Sequence, residues 1–335
     1  ALKHEDGLAK GPVFAITQSP DGATWIGTDG GGLTRYQDGI MKTLTVKDGL
    51  PSNRVRALHT SVSGELWVGT FDQGIAVLRD GKFISPKSNA QLLTQEITAL
   101  HSDPDQSLWI GTGGNGLYRL RNQNLKQFSV KEGLAHNHVK SILRDKDGNL
   151  WIGTFEGGLS VFRKGQLKSF SADAGLTSPF VLSIMEDHEE SLWIGTAKGL
   201  NLYHDAPFMP YTSLDKLPES IQLAVFVDSQ KRMWMGSLGG GVSRLVDGNF
   251  QTLTVGDGLS SNMTFTIGED SKGNIWIGTW GEGINIIKPD GIDTLSVEQG
   301  LANGKVRVLY RDRQDTMWAG TQGGLSRFSN GSFTS

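Results

Sequence analysis

The chain has 335 residues, with 45 glycines, nine tryptophans, no cysteine and a formal net charge of −3. Without cysteine it can form no disulfide, thiolate metal site or cysteine nucleophile. The slightly negative charge argues against nucleic acid or an anionic membrane as partner, and no apolar run reaches the about 18 residues that a membrane-spanning helix needs.

Tryptophan recurs along the whole chain. Successive members of the series are 42 residues apart, apart from one gap of 41, and most stand in Leu-Trp-Ile-Gly-Thr or a close variant. The series is Trp25, Trp67, Trp109, Trp151, Trp193, Trp234, Trp276 and Trp318. A constant period of roughly 40–50 residues indicates a repeat protein. Eight units account for residues 1–335, which we expect to form one domain.

The second unit shows what each repeat contains. Val55–Thr60, Glu65–Thr70, Ile75–Arg79 and a segment from Lys82 onward are short apolar-rich runs separated by turn signals. We name these strands a, b, c and d. A four-stranded sheet that is apolar on both faces must stack on neighbouring sheets, which a closed ring allows. The sequence therefore predicts an all-β fold, an eight-bladed β-propeller with four antiparallel strands per blade.

The two ends of the chain predict how the ring closes. When the repeats are aligned, Ala1–His4 matches the second half of strand d and Gly331–Ser335 matches its first half. We therefore expect the two terminal segments to share the outer strand of the last blade. Three places depart from the repeat and predict local irregularity: Asn89–Leu92 before blade 3, Ala197–Gly199 in blade 5, and Asp205–Pro218 before blade 6.

The repeat motif resembles that of a known family. Blade 4 shows it most fully, in Glu132-Gly133-Leu134, in Asp145 to Thr154 with its Asn-Leu-Trp-Ile-Gly-Thr ending, and in Gly157-Gly158-Leu159. This pattern resembles the two-component regulator propeller repeat. The resemblance implies the extracytoplasmic sensor domain of a bacterial membrane receptor, with a histidine kinase or a diguanylate cyclase as output, and several members are tied to polysaccharide use. Known members often carry two seven-bladed rings and an immunoglobulin-like domain, whereas this chain has eight repeats.

In a four-stranded meander the b–c turns and d–a loops emerge on one side of the ring, where binding residues are expected. Three b–c turns there combine an aromatic residue with a carboxylate, a pairing that suits a sugar ring. The pairs are Phe71 with Asp72, Phe155 with Glu156, and Trp280 with Glu282. Trp280 is the ninth tryptophan and lies outside the repeat register. The alternative is that these are scattered exposed aromatic residues, which are common.

Basic residues add a second feature to the same side. Blades 8, 1 and 2 are neighbours in a closed ring and supply a basic arc, predicted to lie near the channel mouth: Lys305, Arg307, Lys10, Arg54 and Arg56. Blade 4 carries His136, His138 and Lys140 at matching positions. The arc favours an anionic ligand, and the alternative is a solvated rim. A metal at the two histidines would lack a third ligand.

The a–b turns contain acidic residues that resemble the opening of a calcium loop. The fullest example is Asp145-Lys146-Asp147-Gly148-Asn149. An EF-hand would need flanking helices, so we interpret these segments as hairpin turns capped by aspartate.

Together these features predict a non-catalytic ligand-sensing propeller from the periplasmic or extracellular side of a bacterial receptor. The expected ligand is a small molecule, either a carbohydrate or another anion, with no cofactor, metal, nucleic acid or membrane contact by the domain itself. A protein partner or a homodimer formed through the parent receptor is also compatible. The alternatives are a protein–protein interaction platform and a carbohydrate-active hydrolase or lyase that uses Asp72, Glu156 or Glu282.

Overall fold

The computed structural model describes residues 7–203, 209–211, 217–218, 220–246, 248–329 and 331–334. Over these residues the chain forms eight four-stranded antiparallel sheets, and in each the strands lie in chain order. The predicted eight-bladed β-propeller with four strands per blade is therefore confirmed. Strands a, b, c and d of each blade are numbered consecutively from β1 to β32.

The first four blades hold β1 to β16. Their bounds are β1 Val13–Gln18, β2 Thr24–Thr28, β3 Gly32–Gln37, β4 Ile40–Leu44, β5 Val55–Thr60, β6 Leu66–Thr70, β7 Ile75–Arg79, β8 Lys82–Ile84, β9 Ile97–Ser102, β10 Leu108–Thr112, β11 Leu117–Arg121, β12 Asn124–Phe128, β13 Val139–Arg144, β14 Leu150–Thr154, β15 Gly158–Arg163 and β16 Gln166–Phe170. In blade 2 strands a and c have the predicted bounds, and strand b begins one residue later than predicted.

The last four blades hold β17 to β32. Their bounds are β17 Val181–Glu186, β18 Leu192–Thr196, β19 Gly199–Tyr203, β20 Met209–Tyr211, β21 Ile221–Val227, β22 Met233–Leu238, β23 Val242–Val246, β24 Asn249–Leu253, β25 Thr264–Glu269, β26 Ile275–Thr279, β27 Ile284–Lys288, β28 Gly291–Leu295, β29 Val306–Arg311, β30 Met317–Thr321, β31 Gly324–Ser329 and β32 Ser332–Thr334.

The eight blades form a closed ring. The first strands of neighbouring blades contact one another all the way round, including β29 with β1, so strand a is the innermost strand of each blade. At the C-terminal end, β32 pairs with β31 as the outer strand of blade 8, as predicted. The N-terminal half of that predicted strand, Ala1–His4, lies outside the described residues.

The core lies between the blades. Trp25 of blade 1 packs in one buried cluster with Val55 and Val68 of blade 2, and each following tryptophan of the series belongs to such a cluster. Every strand b has five buried residues, or five followed by an exposed one in blade 6. Apolar side chains on both faces of strand b are buried because each blade is covered on both sides.

The Asp-Gly-Leu motif forms the link between blades. Thr45 caps a short 3-10 helix at Val46–Asp48, Gly49 ends it with φ 91°, and Leu50 is buried. The other 3-10 helices within the described residues are Lys87–Gln91, Val130–Glu132, Ala172–Ala174, Val255–Asp257 and Val297–Gln299. In the irregular links, Leu92 and Leu217 take the buried position of the motif leucine. Most of Asp205–Pro218, including Asp215 and Lys216, lies outside the described residues.

Candidate functional site

The b–c turns and d–a loops share one side of the ring, which we call the upper face. In blades 1, 2, 3, 4, 6 and 7 backbone hydrogen bonds join the b–c turn to the d–a loop of the next blade. Gly30 and Gly32 both donate to the Asn53 carbonyl, at 3.0 and 2.8 Å, and Gly281 and Gly283 both donate to the Gly304 carbonyl at 3.0 Å. All fourteen predicted site residues lie on this face or at the upper end of strand a.

Every strand a carries a β-bulge at its second or third residue, close to the upper face. In blade 1, Val13 pairs with Thr28 and Ala15 pairs with Gly27, so Phe14 is the extra residue. A bulge re-aims the side chain of its extra residue. Since strand a is innermost, these residues encircle the upper mouth of the central channel. They are Phe14, Arg56, Thr98, Lys140, Leu182, Leu223, Phe265 and Arg307.

Blades 7, 8, 1 and 2 alternate aromatic rings and guanidinium groups along this mouth. The Arg56 guanidinium lies 3.9 Å from the centroid of Phe14, and Arg307 lies 4.7 Å from the same ring. We call the set the cation–aromatic ladder, and it comprises Phe265, Trp280, Arg307, Phe14, Arg56, Phe71 and Arg54. Each such contact contributes roughly 0.5–2 kcal/mol, which holds the arginines in place.

At each end of the ladder, two cations contact the ring of one aromatic residue. Arg54 lies 3.8 Å and Arg56 4.9 Å from the centroid of Phe71. At the other end Arg307 lies 4.8 Å and the Lys305 amine 5.3 Å from the Trp280 centroid. Trp280 also stacks on Phe265, with ring centroids 4.7 Å apart. The rings of Trp280 and Phe71 are therefore engaged with protein groups, which differs from the open sugar platforms that we expected.

The basic arc divides into a paired half and an unpaired half. Asp29 accepts from Arg54 Nε at 2.9 Å and from Arg56 Nη2 at 3.2 Å, and the hydrogen bond to Asp29 raises the pKa of Arg54. Glu96 lies 3.8 Å from Arg56 Nε. Sequence reasoning missed Asp29 and Glu96 because their contacts cross from one blade to the next.

Among the described residues Arg307 forms no ion pair. Its side chain is half-buried, and its Nε is buried without a hydrogen-bond partner in the described structure. Burial lowers the pKa of Arg307, and the positive charge of Arg56 lowers it further, with Asp29 acting in the opposite sense. Phe14, which lies between the two guanidinium groups, was also missed. It occupies the same strand position as Arg56 and Arg307, but only the charged side chains at that position indicate a binding role in the sequence.

Blade 4 forms a separate group on the same face. The rings of His138 and Phe155 lie 5.2 Å apart, and Phe155 also contacts Phe180, at 4.9 Å between centroids. His136 Nε2 lies 3.9 Å from Glu156, and burial lowers the pKa of His138. Within the parts of the chain that the structure describes, no three His, Cys, Asp or Glu side chains are grouped to hold a metal ion.

The remaining predicted residues are dispersed. Lys10, Lys140 and Glu282 are exposed. Asp72 has a buried Oδ1 for which the described residues supply no hydrogen bond. Asp72, Glu156 and Glu282 belong to blades 2, 4 and 7, which are not neighbours in the ring. The three carboxylates proposed for the hydrolase alternative are therefore not brought together.

The a–b and c–d turns form the opposite side, which we call the lower face. Asp145 accepts hydrogen bonds from the Asn149 amide at 2.7 Å and from Trp151 Nε1 at 2.7 Å, which confirms the interpretation as a capped hairpin turn. Grooves of up to about 560 Å³ separate neighbouring blades on this face. They recur from blade to blade because radial sheets splay outward, so they follow from the packing of the ring.

The sequence profile of the family described as "Two component regulator propeller" matches five of the eight repeats. The matched residues are 91–114, 133–156, 175–198, 258–281 and 300–323, each spanning a d–a loop, strand a and the Trp strand. These five segments are similar to the two-component regulator propeller repeat. The comparison with curated proteins gave no match. No helix among the described residues is long and apolar enough to cross a membrane.

The chain is similar to several solved structures. The extracellular domain of a protein described as a hybrid two-component system of B. thetaiotaomicron is 24% identical, with a TM-score of 0.45, over 94% of this chain and 49% of that one. PorZ of Porphyromonas gingivalis is 17% identical, with a TM-score of 0.60, over 95% and 52%. Virginiamycin B lyase of Staphylococcus aureus is 13% identical, with a TM-score of 0.60, over 81% and 93%. The chain spans about half the length of the extracellular domains. At these identities the two likenesses with a TM-score of 0.60 support the fold alone.

Proposed function

We propose that this two-component regulator propeller is a non-catalytic ligand-sensing domain on the outer side of a bacterial signalling receptor. Its ligand is a carbohydrate or another anionic molecule that binds on the upper face. The cation–aromatic ladder carries this proposal, because it concentrates positive charge at one side of the channel mouth of a protein whose net charge is −3. The family description supports the signalling role, and the loops of a rigid scaffold are a common place for binding.

A glycan array tests the binding half of the proposal. The chain is applied to neutral and acidic oligosaccharides, alongside the charge reversals Arg56→Glu and Arg307→Glu. We expect the native chain to retain acidic members and both reversals to remove that signal, because they replace attraction by repulsion. Arg35→Glu is the matched control, since Arg35 pairs with Asp21 on the lower face. Unchanged binding by the reversed variants would refute the proposed site.

The receptor half is tested in the cell that encodes the chain. We expect the full gene product to join this domain to a membrane-spanning helix and a kinase or cyclase, and expect Arg307→Glu in that product to silence ligand-dependent output. A full gene product that joins the propeller to a secreted hydrolase domain would contradict a sensor role.

A further inference from the structure

The three arginines of the ladder differ in what neutralises them. Arg54 and Arg56 share the carboxylate of Asp29, and Arg56 also has Glu96 nearby. Arg307 lies on the other side of Phe14 at the same bulge position. The described residues give it no ion pair. The positive charge of Arg56 acts on it more strongly than the negative charge of Asp29 does. Arg54 and Arg56 are thus held in ion pairs, whereas Arg307 has none among the described residues.

We expect a cation without an ion pair among the described residues to destabilise the unliganded protein. A half-buried guanidinium loses hydration, and a second guanidinium across one aromatic ring adds repulsion. Contacts with the rings of Phe14 and Trp280 stabilise the guanidinium and so act against this cost. Ligand-binding sites commonly lower the stability of the unliganded protein in this way, because the ligand supplies the missing counter-charge.

The aromatic rings of the ladder bear on what the ligand must be. Trp280 stacks on Phe265 and also contacts the cations of Arg307 and Lys305. These contacts orient the guanidinium of Arg307, so the ladder presents charge more than open aromatic surface. A planar guanidinium whose Nη donors have no acceptor among the described residues is suited to a two-oxygen anionic group.

We propose that Arg307, with Lys305 beside it, receives an oxyanion of the ligand, a carboxylate or a sulfate group. Arg54 and Arg56 keep Phe14 and Phe71 in place. This assignment rests on the proposed function of the upper face. It restricts the class of ligand to molecules that carry an anionic group.

Thermal unfolding of the unliganded chain separates this role from a structural one. We expect Arg307→Gln to raise the melting temperature, by roughly 2 °C, because it removes an uncompensated charge while keeping much of the side chain. Arg144→Gln is the matched control. Arg144 is another strand-a arginine, but Asp103 on the lower face accepts hydrogen bonds from its Nε and Nη2. We expect that variant to melt at a lower temperature. A lower melting temperature for Arg307→Gln would overturn the proposal, because it would make the arginine structural.

Ligand binding is followed by NMR at the Nε–H group of the Arg307 side chain. The Nε–H signal of Arg307 is identified by its absence from the Arg307→Gln spectrum. Sodium glucuronate, glucose 6-sulfate and glucose are then added up to about 50 mM, a range that detects millimolar affinity, with sodium chloride as the ionic-strength control. We expect glucuronate, glucose 6-sulfate or both to shift the signal, and glucose and chloride to leave it in place. A response to one anion alone identifies its source as a carboxylate or a sulfate.

The outcomes distinguish this assignment from the proposed function. If the anions shift upper-face signals of the native chain and of Arg307→Gln equally, the face binds ligand and the assignment to Arg307 is wrong. If no probe shifts any upper-face signal of the native chain, both fail. If glucose shifts the Arg307 signal as strongly as the anions do, the face binds a sugar without needing its charge, and the assignment is again wrong.

Discussion

At the residue scale, the repeated tryptophans are anchored by a polar contact as well as by packing. In six blades the indole Nε1 donates to the aspartate six residues earlier, at 2.7 to 3.0 Å. In blade 1 the acceptor is Ser19. A buried indole needs such an acceptor, so the Asp-to-Trp spacing is set by one hydrogen bond. The spacing was visible in the sequence, whereas the hydrogen bond was not.

Removing one of these acceptors measures how much the hydrogen bond contributes to the stability of the fold. We expect Asp145→Ala to lower the free energy of unfolding by about 1–3 kcal/mol, because Trp151 Nε1 would remain buried without a partner. Denaturant titration measures the change. Asp147→Ala, an exposed position in the same turn, should change stability by less than about 0.5 kcal/mol. Equal effects from the two variants would show that the indole contact contributes little.

Acid should weaken the interface between blades 2 and 3. Burial lowers the pKa of His59 from 6.5 to about 4, and the nearby His101 adds to the effect. His59 Nε2 accepts from the Ser102 amide at 3.0 Å, so the folded state holds the neutral ring. Asp103 and Arg144 are the charged groups next to His101. Since the folded pKa lies below the unfolded one, this stability is present above pH 6.5 and is lost as the pH falls towards 4.

The variant His59→Gln tests that dependence, because glutamine can still accept a hydrogen bond but does not titrate. We expect the native chain to lose up to about 3 kcal/mol more than His59→Gln between pH 6.5 and pH 4. Denaturant titrations at several pH values give the comparison. Parallel losses in the two proteins would place the acid sensitivity elsewhere.

At the scale of the strand and the blade, the Gly-Thr that ends strand b has a steric origin. A Cβ added to Gly153 would lie 2.7 Å from Val181 Cγ1 of the next blade. The Thr154 hydroxyl donates to the Gly158 carbonyl and closes the b–c turn. The glycine therefore sets how closely two blades approach, and the threonine fixes the turn that carries Phe155 and Glu156.

A matched pair of substitutions checks this explanation. We expect Gly153→Ala to destabilise the chain by about 1–3 kcal/mol, because the neighbouring strand must shift to admit a methyl group. Gly114→Ala is the control, since an added Cβ there meets nothing within 4 Å and its φ is not positive. The measurement is the denaturation midpoint of each variant. Comparable midpoints for both alanine variants would argue against close blade contact at Gly153.

The strand bounds could be predicted from the sequence because eight copies of one pattern reinforce each other. The bulge in strand a could not, because a one-residue insertion in the pairing leaves no repeat-breaking signature. That bulge turns Arg56 and Arg307 towards the mouth and Phe14 between them. The candidate face and its basic residues were thus predicted, while the ladder and the pairing with Asp29 emerged only from the packed structure.

At the scale of the whole molecule, blade 8 meets blade 1 by the contacts used between other blades. Tyr36 packs edge-on against Trp318, with centroids 4.9 Å apart, and the Gln18 amide donates to Gln314 at 2.8 Å. A Cβ on Gly320 would lie 2.6 Å from Val13 Cγ1, which matches the steric limit at Gly153. Closure matters for the proposed function, because it places Arg307 beside Phe14 and Arg56.

We therefore expect the interface between blades 8 and 1 to be as stable as the other interfaces between blades. We expect Gly320→Ala to lower the denaturation midpoint about as much as Gly153→Ala, in a single transition, because a closed ring has no free end from which repeats can peel away. If Gly320→Ala left the denaturation midpoint unchanged while Gly153→Ala lowered it, blades 8 and 1 would not be in contact in solution. The contact between Phe14 and Arg307 in the ladder would then be absent.

A crystal structure of the chain with an acidic ligand selected on the glycan array tests the central claim most directly. The ladder predicts an oxyanion of that ligand within hydrogen-bonding distance of the Arg307 guanidinium, on the upper face and next to Phe14. A ligand seated instead in a groove of the lower face, or on the upper face with its anionic group turned away from Arg307, would contradict the account.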